Sequence, residues 1–267
     1  MKISITQSNG KLSGRILRKL LVLAFWIGVW QLAYSTVRQD VLVASPVQVA
    51  RTLAGLAGQS EFWLSVGNSL LRVLAGFLMA VAAGIVLAVL TSCFPAAREI
   101  FTPVIGTIRA TPVVSFIILA LVWLKRDFVS VFIAFLMVLP VIWTNVSEGI
   151  VRTDRQLLEM GFVFHFSRAK MLRSIYIPSV MPYFIAAVTT GIGFAWKAGI
   201  AAEVIGIPVY SIGQHLYNAK IYLETADLFA WTAMVILLSM LAEHTLVKLI
   251  RRVGKRYNVQ ESGDRRT

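Results

Sequence analysis

Two charged residues interrupt a long apolar stretch, and each of them needs a partner of opposite charge or contact with water. Lys197 and Glu203 both lie in the segment GFAWKAGIAAEVIG at 193–206. A cation at the centre of a bilayer costs about 2.5–3.5 kcal/mol unless it has an internal partner or an aqueous cavity. Lys197 could therefore line a pathway and attract an anion. It could instead pair with Glu203 of a neighbouring subunit or with Glu148, because the six-residue separation excludes an i,i+4 pair within one helix.

Motifs for catalysis are missing from the sequence. No stretch reads G-x-x-x-x-G-K-[ST], H-E-x-x-H or G-x-S-x-G, so the chain has no phosphate-binding loop for ATP hydrolysis and no visible hydrolase site. Cys93 is the only cysteine and lacks partners for a disulfide or a metal, which favours a small buried residue. We expect no enzyme activity, no cofactor and no metal. Energy must come from a partner or from a gradient.

The composition indicates a membrane protein. Apolar residues make up 57% of the 267 residues and charged residues 15%, against about 25% charged in soluble domains. Six apolar runs have the length, or nearly the length, of a bilayer span: 20–37, 73–97, 128–147 and 174–196, with shorter runs at 110–124 and 228–242. Because lipid-exposed backbone must satisfy its own hydrogen bonds, we predict an all-α integral membrane protein with six transmembrane helices.

Lys and Arg residues predict the orientation. Most of them fall on one side if the N-terminus is cytoplasmic, and the positive-inside rule then places both termini in the cytoplasm. We expect a basic N-terminus at 1–19, one six-helix domain at 20–250 and a basic tail at 251–267. The first run is too long for the apolar region of a signal peptide. The net charge is +13. Because the basic residues flank apolar spans and no nucleic-acid motif accompanies them, we expect no nucleic-acid partner.

The cytoplasmic loop at 148–178 is basic and amphipathic. Thr153 or Asp154 can cap a first short helix and Ser167 a second one, while Pro178 and Pro182 set the start of the fifth span. An apolar stripe with a basic rim suits insertion into a groove on another protein. It equally suits a helix that lies on anionic lipid. The pattern alone leaves both possibilities open.

Other local patterns predict capping and packing. Ser45 and Pro46 begin a short external helix, SPVQVARTLAGL. Small residues at three- and four-residue steps predict close helix packing: Gly76, Ala80, Ala83, Gly84 and Ala88 in the second span, and Ala187, Gly191, Ala195 and Gly199 in the fifth. Such a face can pack within the bundle or across a dimer. Because the fifth-span stripe lies next to Lys197, we expect it to face the two-fold axis of a dimer and the pathway. Arg72 and Arg109 are interpreted as anchors that snorkel or bind helix ends.

The loop resembles the "EAA" loop of permease subunits of binding-protein-dependent ABC importers. That pattern reads E-A-A, three residues, G, nine residues, I, one residue, L-P; Glu159, Ile175 and Pro178 match it, while Met160, Gly161, His165 and Ile177 replace its other members. The resemblance extends from about residue 20 to residue 252, through SLLRVLAGF at 69–77, IRATPVVSF at 108–116 and the segment at 193–206. Within the family, the chain is most similar to the nitrate, sulfonate and taurine group.

The resemblance implies a type I ABC importer permease fold with a cytoplasmic coupling helix, in a prokaryotic inner membrane. Two permease copies would form the pathway, two cytoplasmic ATPases would bind their loops, and an extracytoplasmic binding protein would deliver a small anionic solute. Carried over, the coupling residues are Leu158, Glu159, Met160, Gly161, His165, Ser167, Ile175 and Pro178. Since histidine tolerates positive φ less well than glycine, the coupling helix is expected to end differently at His165.

Two other function classes are less consistent with the sequence. A gradient-driven secondary transporter would place carboxylates or broken helices near mid-membrane, where the spans hold almost no acids. A membrane enzyme or scaffold is disfavoured by the missing catalytic motifs. The sequence does not separate sulfonates from nitrate or other small solutes.

Overall fold

A computed structural model describes residues 9–255, and within it the side chains of residues 17, 18 and 20–249. Residues 1–8 and 256–267, which belong to the predicted basic ends, lie outside it. The described part is helical throughout, with turns between the helices, which confirms the all-α prediction. The helices are α1 (Asn9–Val37), α2 (Pro46–Ala57), α3 (Ser60–Cys93), α4 (Pro95–Ala110), α5 (Val113–Trp123), α6 (Arg126–Val151), α7 (Arg155–Val163), α8 (Arg168–Met171), α9 (Ile177–Gly206), α10 (Ile212–Ile221) and α11 (Thr225–Lys255).

Three long helices, α3, α6 and α9, form the centre of the bundle. Small residues let their backbones approach closely: a methyl group at Gly84 of α3 would lie 2.8 Å from Cβ of Ile142 on α6. Phe77, Val138 and Trp196, one from each of these helices, are almost fully buried in the core that the helices share. The small-residue stripe predicted in the second span is thus confirmed as a packing surface.

The small-residue stripe of the fifth span also packs inside the chain. A methyl group at Gly191 would lie 3.2 Å from Cγ1 of Val138, and one at Gly199 would lie 2.7 Å from Cγ2 of Val73. The expectation that this stripe faces the two-fold axis is therefore wrong. The reason is that α3 and α6 already occupy the close-approach surface that these small residues create.

Five helical segments are long and apolar enough to cross a membrane: Leu20–Val37, Ser60–Cys93, Arg126–Val151, Arg168–Gly206 and Thr225–Leu249. They coincide with or contain four of the predicted spans and overlap the second. A sixth crossing depends on α4 and α5, which are bent by 105° where they meet. Residues 9–255 therefore contain five segments able to cross a membrane, or six if this bent pair crosses as one, and the count of six stays a prediction.

The predicted boundaries around α4 need correction. The second span ends at Cys93 and not at residue 97, because Phe94 is extended and Pro95 begins the next helix. The third span, predicted at 110–124, is the 11-residue α5, which follows Pro112 and is about 16 Å long at about 1.5 Å per residue. That length is too short to span a hydrocarbon core of about 30 Å alone. Cys93, expected to be buried, is exposed.

Local capping fixes the helices at the end of the bundle that contains α2 and α10. Ser45 and Gln48 form a complete capping box at the start of α2, which confirms the predicted helix start. The indole Nε1 of Trp30 on α1 donates to the Ala44 carbonyl at 3.0 Å, and the Trp30 ring stacks on Phe229 of α11. The largely exposed α1 is thereby tied to α2 and α11.

Candidate functional site

The predicted coupling loop forms a helical hairpin at the end of α6 and the beginning of α9. Asp154 caps α7 by accepting the Gln156 backbone N–H at 2.8 Å, while Thr153 instead donates its hydroxyl to the Gly149 carbonyl. Ser167 accepts the Lys170 backbone N–H at 3.3 Å and caps α8, as the sequence predicted. The hairpin is therefore held by local hydrogen bonds at the start of each helix.

The second helix of this hairpin is continuous with the fifth span. A π-helical turn, Leu172–Tyr176, joins α8 to α9, and the Ile177 N–H bonds to the Leu172 carbonyl five residues back. This wide turn directly precedes Pro178, which has no N–H to donate. The fifth span is thus part of one continuous helical segment, Arg168–Gly206, which we call the fifth-span rod. It does not begin at Pro178 or Pro182, as the sequence predicted.

His165 ends α7 in the way a glycine would. Its φ is 52°, in the left-handed region. The His165 N–H bonds to the Phe162 carbonyl at 3.0 Å and the Phe166 N–H to the Gly161 carbonyl at 2.9 Å, which together form a Schellman motif. The expectation that the helix ends differently here is wrong. Two backbone hydrogen bonds hold the histidine in a conformation that disfavours a Cβ atom.

Gly161 is the contact between the two halves of the hairpin. It is buried, and a methyl group there would lie 2.7 Å from Cε of Met171 and 3.1 Å from Cδ1 of Ile175. Ile175 is buried as well, and Leu158 and Pro178 are half-buried. The structure therefore brings Gly161 and Ile175, which are distant in the motif, into one packed layer that fixes α7 against the base of α9.

The outer face of α7 and its following turn is apolar and exposed. Five large side chains project there: Leu157, Met160, Phe162, Val163 and Phe164. Phe162 and Val163 are 71% and 74% exposed. Glu159 is exposed on the same helix, and exposed basic residues precede and follow the patch in the sequence: Arg152, Arg155, Arg168, Lys170 and Arg173. We call the residues from Leu157 to Phe164 the α7 patch. An apolar patch of this kind with a polar rim is typical of a protein-binding surface.

At the opposite end of the bundle, Glu203 forms a buried polar cluster. It is 0% exposed, and its Oε2 accepts the Ser69 hydroxyl at 2.6 Å and the Gly213 backbone N–H at 3.3 Å. The Ser69 hydroxyl oxygen in turn accepts the Ile212 N–H at 2.9 Å. A buried carboxylate needs such donors. Glu203 therefore joins α3, α9 and the start of α10.

Arg72 completes this cluster. Its Nη2 lies 2.7 Å from Oδ1 of Asp127, and its Nη1 lies 3.6 Å from Oε1 of Glu203. The interpretation of Arg72 as a snorkelling anchor did not include its ion pair with Glu203. Sequence reasoning could have found it, because two opposite charges within apolar spans each need a partner.

Lys197 lies apart from this cluster. It is exposed, although Ala195, Trp196 and Ala198 around it are buried, and it forms no ion pair with any side chain that the structure describes. Within one chain Lys197 and Glu203 are not partners, since Arg72 holds Glu203. A lone exposed cation on a membrane helix requires water, an anion or another subunit.

The comparisons with known proteins agree on one family. The family described as binding-protein-dependent transport system inner membrane component matches residues 63–256. A "Probable ABC transporter permease protein" of Brucella melitensis is 27% identical over 92% of this chain and 98% of its own length. The taurine transport system permease protein TauC of Escherichia coli is 24% identical over 87% and 86%. The nitrate import permease protein NrtB of Leptolyngbya laminosa is 25% identical over 73% and 74%.

Solved structures have the same fold. A chain of a bacterial ABC transporter involved in import of the acidic polysaccharide alginate aligns with a TM-score of 0.60 over 93% of this chain and 99% of its own, at 14% identity. A chain of an amino acid ABC transporter aligns with a TM-score of 0.53 over 72% and 94%, at 16% identity. The protein is thus a multi-pass transport subunit and not an enzyme, and it belongs to the binding-protein-dependent transport system inner membrane components, the permeases of ABC importers.

Proposed function

We propose that the chain forms the membrane pathway of an importer for a small anionic solute and is driven by a separate ATPase through the α7 patch. The observation that carries this proposal is the combination of an exposed apolar surface with a rigid base. The outer residues of α7 are exposed, while Gly161 packs on Met171 and Ile175 at the beginning of the fifth-span rod. A push on α7 would therefore be passed directly to α9.

The proposed partners follow from this arrangement. Two cytoplasmic ATPases bind the α7 patches of two permease copies, with Glu159, Met160 and the turn from His165 to Ser167 in their interface. Leu158, Ile175 and Pro178 lie beneath this surface and support it. Both termini lie in the cytoplasm, and α2 and α10 face an extracytoplasmic binding protein. The basic rim of the loop supports the cytoplasmic placement.

The solute is proposed to carry a small anionic group. Relatives named for the transport of taurine, nitrate and bicarbonate support this class. Lys197 is the pathway residue that we propose to attract the solute, because it is exposed and has no ion-pair partner among the described side chains. Glu203 is buried and bound within the chain, so we assign it to positioning of α10 and not to contact with the solute. A gradient-driven transporter, the alternative considered from the sequence, has no comparable support.

Replacement of Glu159 by Lys tests the ATPase interface. Glu159 is exposed and makes no contact that the fold needs, so the variant should insert normally. We expect it to lose co-purification with the partner ATPase and to lose ATP-dependent uptake, because the charge on the interface is reversed. Glu99→Lys is the matched control: it makes the same charge change at an exposed site on α4, outside the loop. Normal co-purification of Glu159→Lys would remove the coupling assignment.

A further inference from the structure

A cavity of about 340 Å³ lies between α4, α6 and α9, next to the bend that separates α4 from α5. Its walls are mostly apolar, and Arg109 is the only charged residue among them. Its polar lining residues are Arg109, Thr111, Thr144 and Asn145, and its apolar wall includes Pro140 and Phe194. A concave, largely apolar site of a few hundred Å³ with few polar groups is the usual form of a small-molecule site.

The cavity lies near the middle of α6, one of the segments that are long and apolar enough to cross a membrane. Pro140, in its wall, follows Arg126 by fourteen residues and precedes Val151 by eleven. At about 1.5 Å per residue it is therefore about 21 Å from one end of α6 and about 17 Å from the other. Arg109 is exposed in the single chain and pairs with no carboxylate that the structure describes. A cation near the middle of a membrane segment and without a partner in its own chain requires water, an anion or another subunit.

The polar groups of the cavity favour an anion over a cation. No acidic side chain lines it. The hydroxyls of Thr111 and Thr144 donate to the carbonyls of Thr107 and Pro140, so they are already committed within their helices. Asn145 donates one amide N–H to the Val141 carbonyl at 2.8 Å and has a second N–H left. The guanidinium and this N–H are the remaining donors from side chains.

The surroundings connect the cavity with Lys197. Phe194 lies in the cavity wall and Lys197 follows it by three residues on α9, so both occupy the same side of the helix. Both side chains are exposed. The beginning of α5 also lies beside the cavity, because Thr111 is in the wall and α5 starts at Val113. Helix N-termini carry partial positive charge, which adds to that of Arg109.

We infer that this cavity is an anion-binding site on the translocation pathway, in which Arg109 and Asn145 bind the oxyanion group of a nitrate-, bicarbonate- or sulfonate-like solute. A guanidinium matches two oxygens of such a group at once, which a lysine does not. This inference rests on the proposed function, since it supplies the binding step for the solute. It changes the role of Arg109, which sequence analysis interpreted as an anchor.

The test measures the charge preference of the cavity without knowledge of the solute. Thr144→Cys provides a reporter thiol in a Cys93→Ser background, in membranes that contain the full chain. The probes are an anionic reagent, sulfonatoethyl methanethiosulfonate, and a cationic one, trimethylammonioethyl methanethiosulfonate. We expect Arg109→Gln to lower the ratio of anionic to cationic labelling rates by about tenfold, because Arg109 and Thr144 line the same cavity and a unit charge acts strongly where solvation is poor.

Two control variants separate the site from general effects. Arg126→Gln removes a matched exposed charge at the start of α6, about 27 Å from the reporter at about 1.5 Å per residue, and should leave the ratio unchanged. Arg109→Lys should keep most of the ratio because the positive charge remains. Sodium nitrate should slow the anionic labelling more than sodium gluconate at equal ionic strength, and Arg109→Gln should abolish this protection. A ratio that changes less than twofold in Arg109→Gln, or a reporter thiol that neither reagent reaches, would overturn the inference.

The same membranes distinguish failure of this site from failure of the proposed function. ATPase co-purification should be normal in Arg109→Gln, since Arg109 lies outside the coupling loop. An unchanged labelling ratio with normal co-purification would reject the anion site alone. Absence of co-purification in the parent chain would reject ATPase coupling, while the labelling ratio would still decide on the cavity.

Discussion

At the scale of single residues, the backbone of His165 stores strain at the end of α7. An L-residue in the left-handed region costs about 1–2 kcal/mol, and glycine avoids this cost. We predict that His165→Gly slows local opening of the hairpin about fivefold, which corresponds to about 1 kcal/mol, and that His165→Val speeds it. Hydrogen–deuterium exchange over residues 155–171 measures this opening.

A control for this prediction lies one residue earlier. Phe164 has φ of −83°, where glycine relieves no strain, so Phe164→Gly should speed exchange. Faster exchange in His165→Gly than in the parent chain would contradict the assignment of strain to His165. The Schellman hydrogen bonds explain why the sequence did not predict this end: they involve only backbone groups, which the residue types do not reveal.

His215 on α10 makes the stability of that end depend on pH. Its ring stacks on Trp231 with centroids 4.4 Å apart, and its Nε2 lies 3.0 Å from the Ser65 hydroxyl. Burial lowers the pKa of His215 below its ordinary value of 6.5, and the charges of Glu61 and Asp227 oppose this only in part. The folded chain therefore binds this proton less readily than the unfolded chain does.

The sign of the pH effect follows from linkage. Because the folded pKa is the lower one, His215 contributes its full stability above about pH 6.5 and loses it as the pH falls towards the folded pKa. We predict that the Tm of the detergent-solubilised chain falls between about pH 7 and pH 5, and that His215→Gln flattens this dependence. His244 on α11 lies outside this cluster, so His244→Gln is the control and should keep the slope. An equal slope in His215→Gln and the parent chain would exclude His215 as the cause.

At the scale of helices, the close approach of α3 and α6 is the contact that is most sensitive to size. A methyl group at Gly76 would overlap the Val131 carbonyl and lie 2.9 Å from Cβ of Ala134. The backbone oxygen cannot move aside as a flexible side chain could. We predict that Gly76→Ala lowers the stability of the purified chain by about 1–3 kcal/mol, seen as a lower Tm.

Gly67 is the matched control on the same helix, since a methyl group added there would meet no atom within 4 Å. Gly67→Ala should raise the Tm or leave it unchanged, because alanine is the better helix former. A Tm for Gly76→Ala equal to that of the parent chain would show that α3 and α6 are less tightly packed than the structure has them.

Helix starts were the most predictable elements. Ser45, Asp154 and Ser167 cap helices through side chains that act within three residues, so their patterns are visible in the sequence. The π-helical turn before Pro178 and the 105° bend between α4 and α5 were not predicted. Both depend on how a proline is accommodated by the helices around it, which apolar run lengths do not encode.

At the scale of the whole molecule, hydrophobic runs located the spans, because a bilayer imposes length and apolarity on every crossing segment. The hydrophobic runs did not reveal which helix faces contact each other. The stripe in the fifth span was expected at a two-fold axis and packs on α3 and α6 instead, and Arg72 was expected to snorkel and binds Glu203. Small residues and charges indicate that a contact exists, while its partner is set by the three-dimensional arrangement.

We propose that a separate cytoplasmic ATPase drives this permease through the α7 patch, and site-specific crosslinking from that patch is the decisive experiment. A photocrosslinker at Phe162, which is 71% exposed, would be introduced into the chain in inverted membrane vesicles that contain the ATPase. Tyr222, which is 70% exposed beyond α10 at the opposite end, is the control position. We predict an adduct with the ATPase from Phe162 and none from Tyr222. An adduct from Tyr222 and none from Phe162 would contradict both the coupling site and the orientation of the chain.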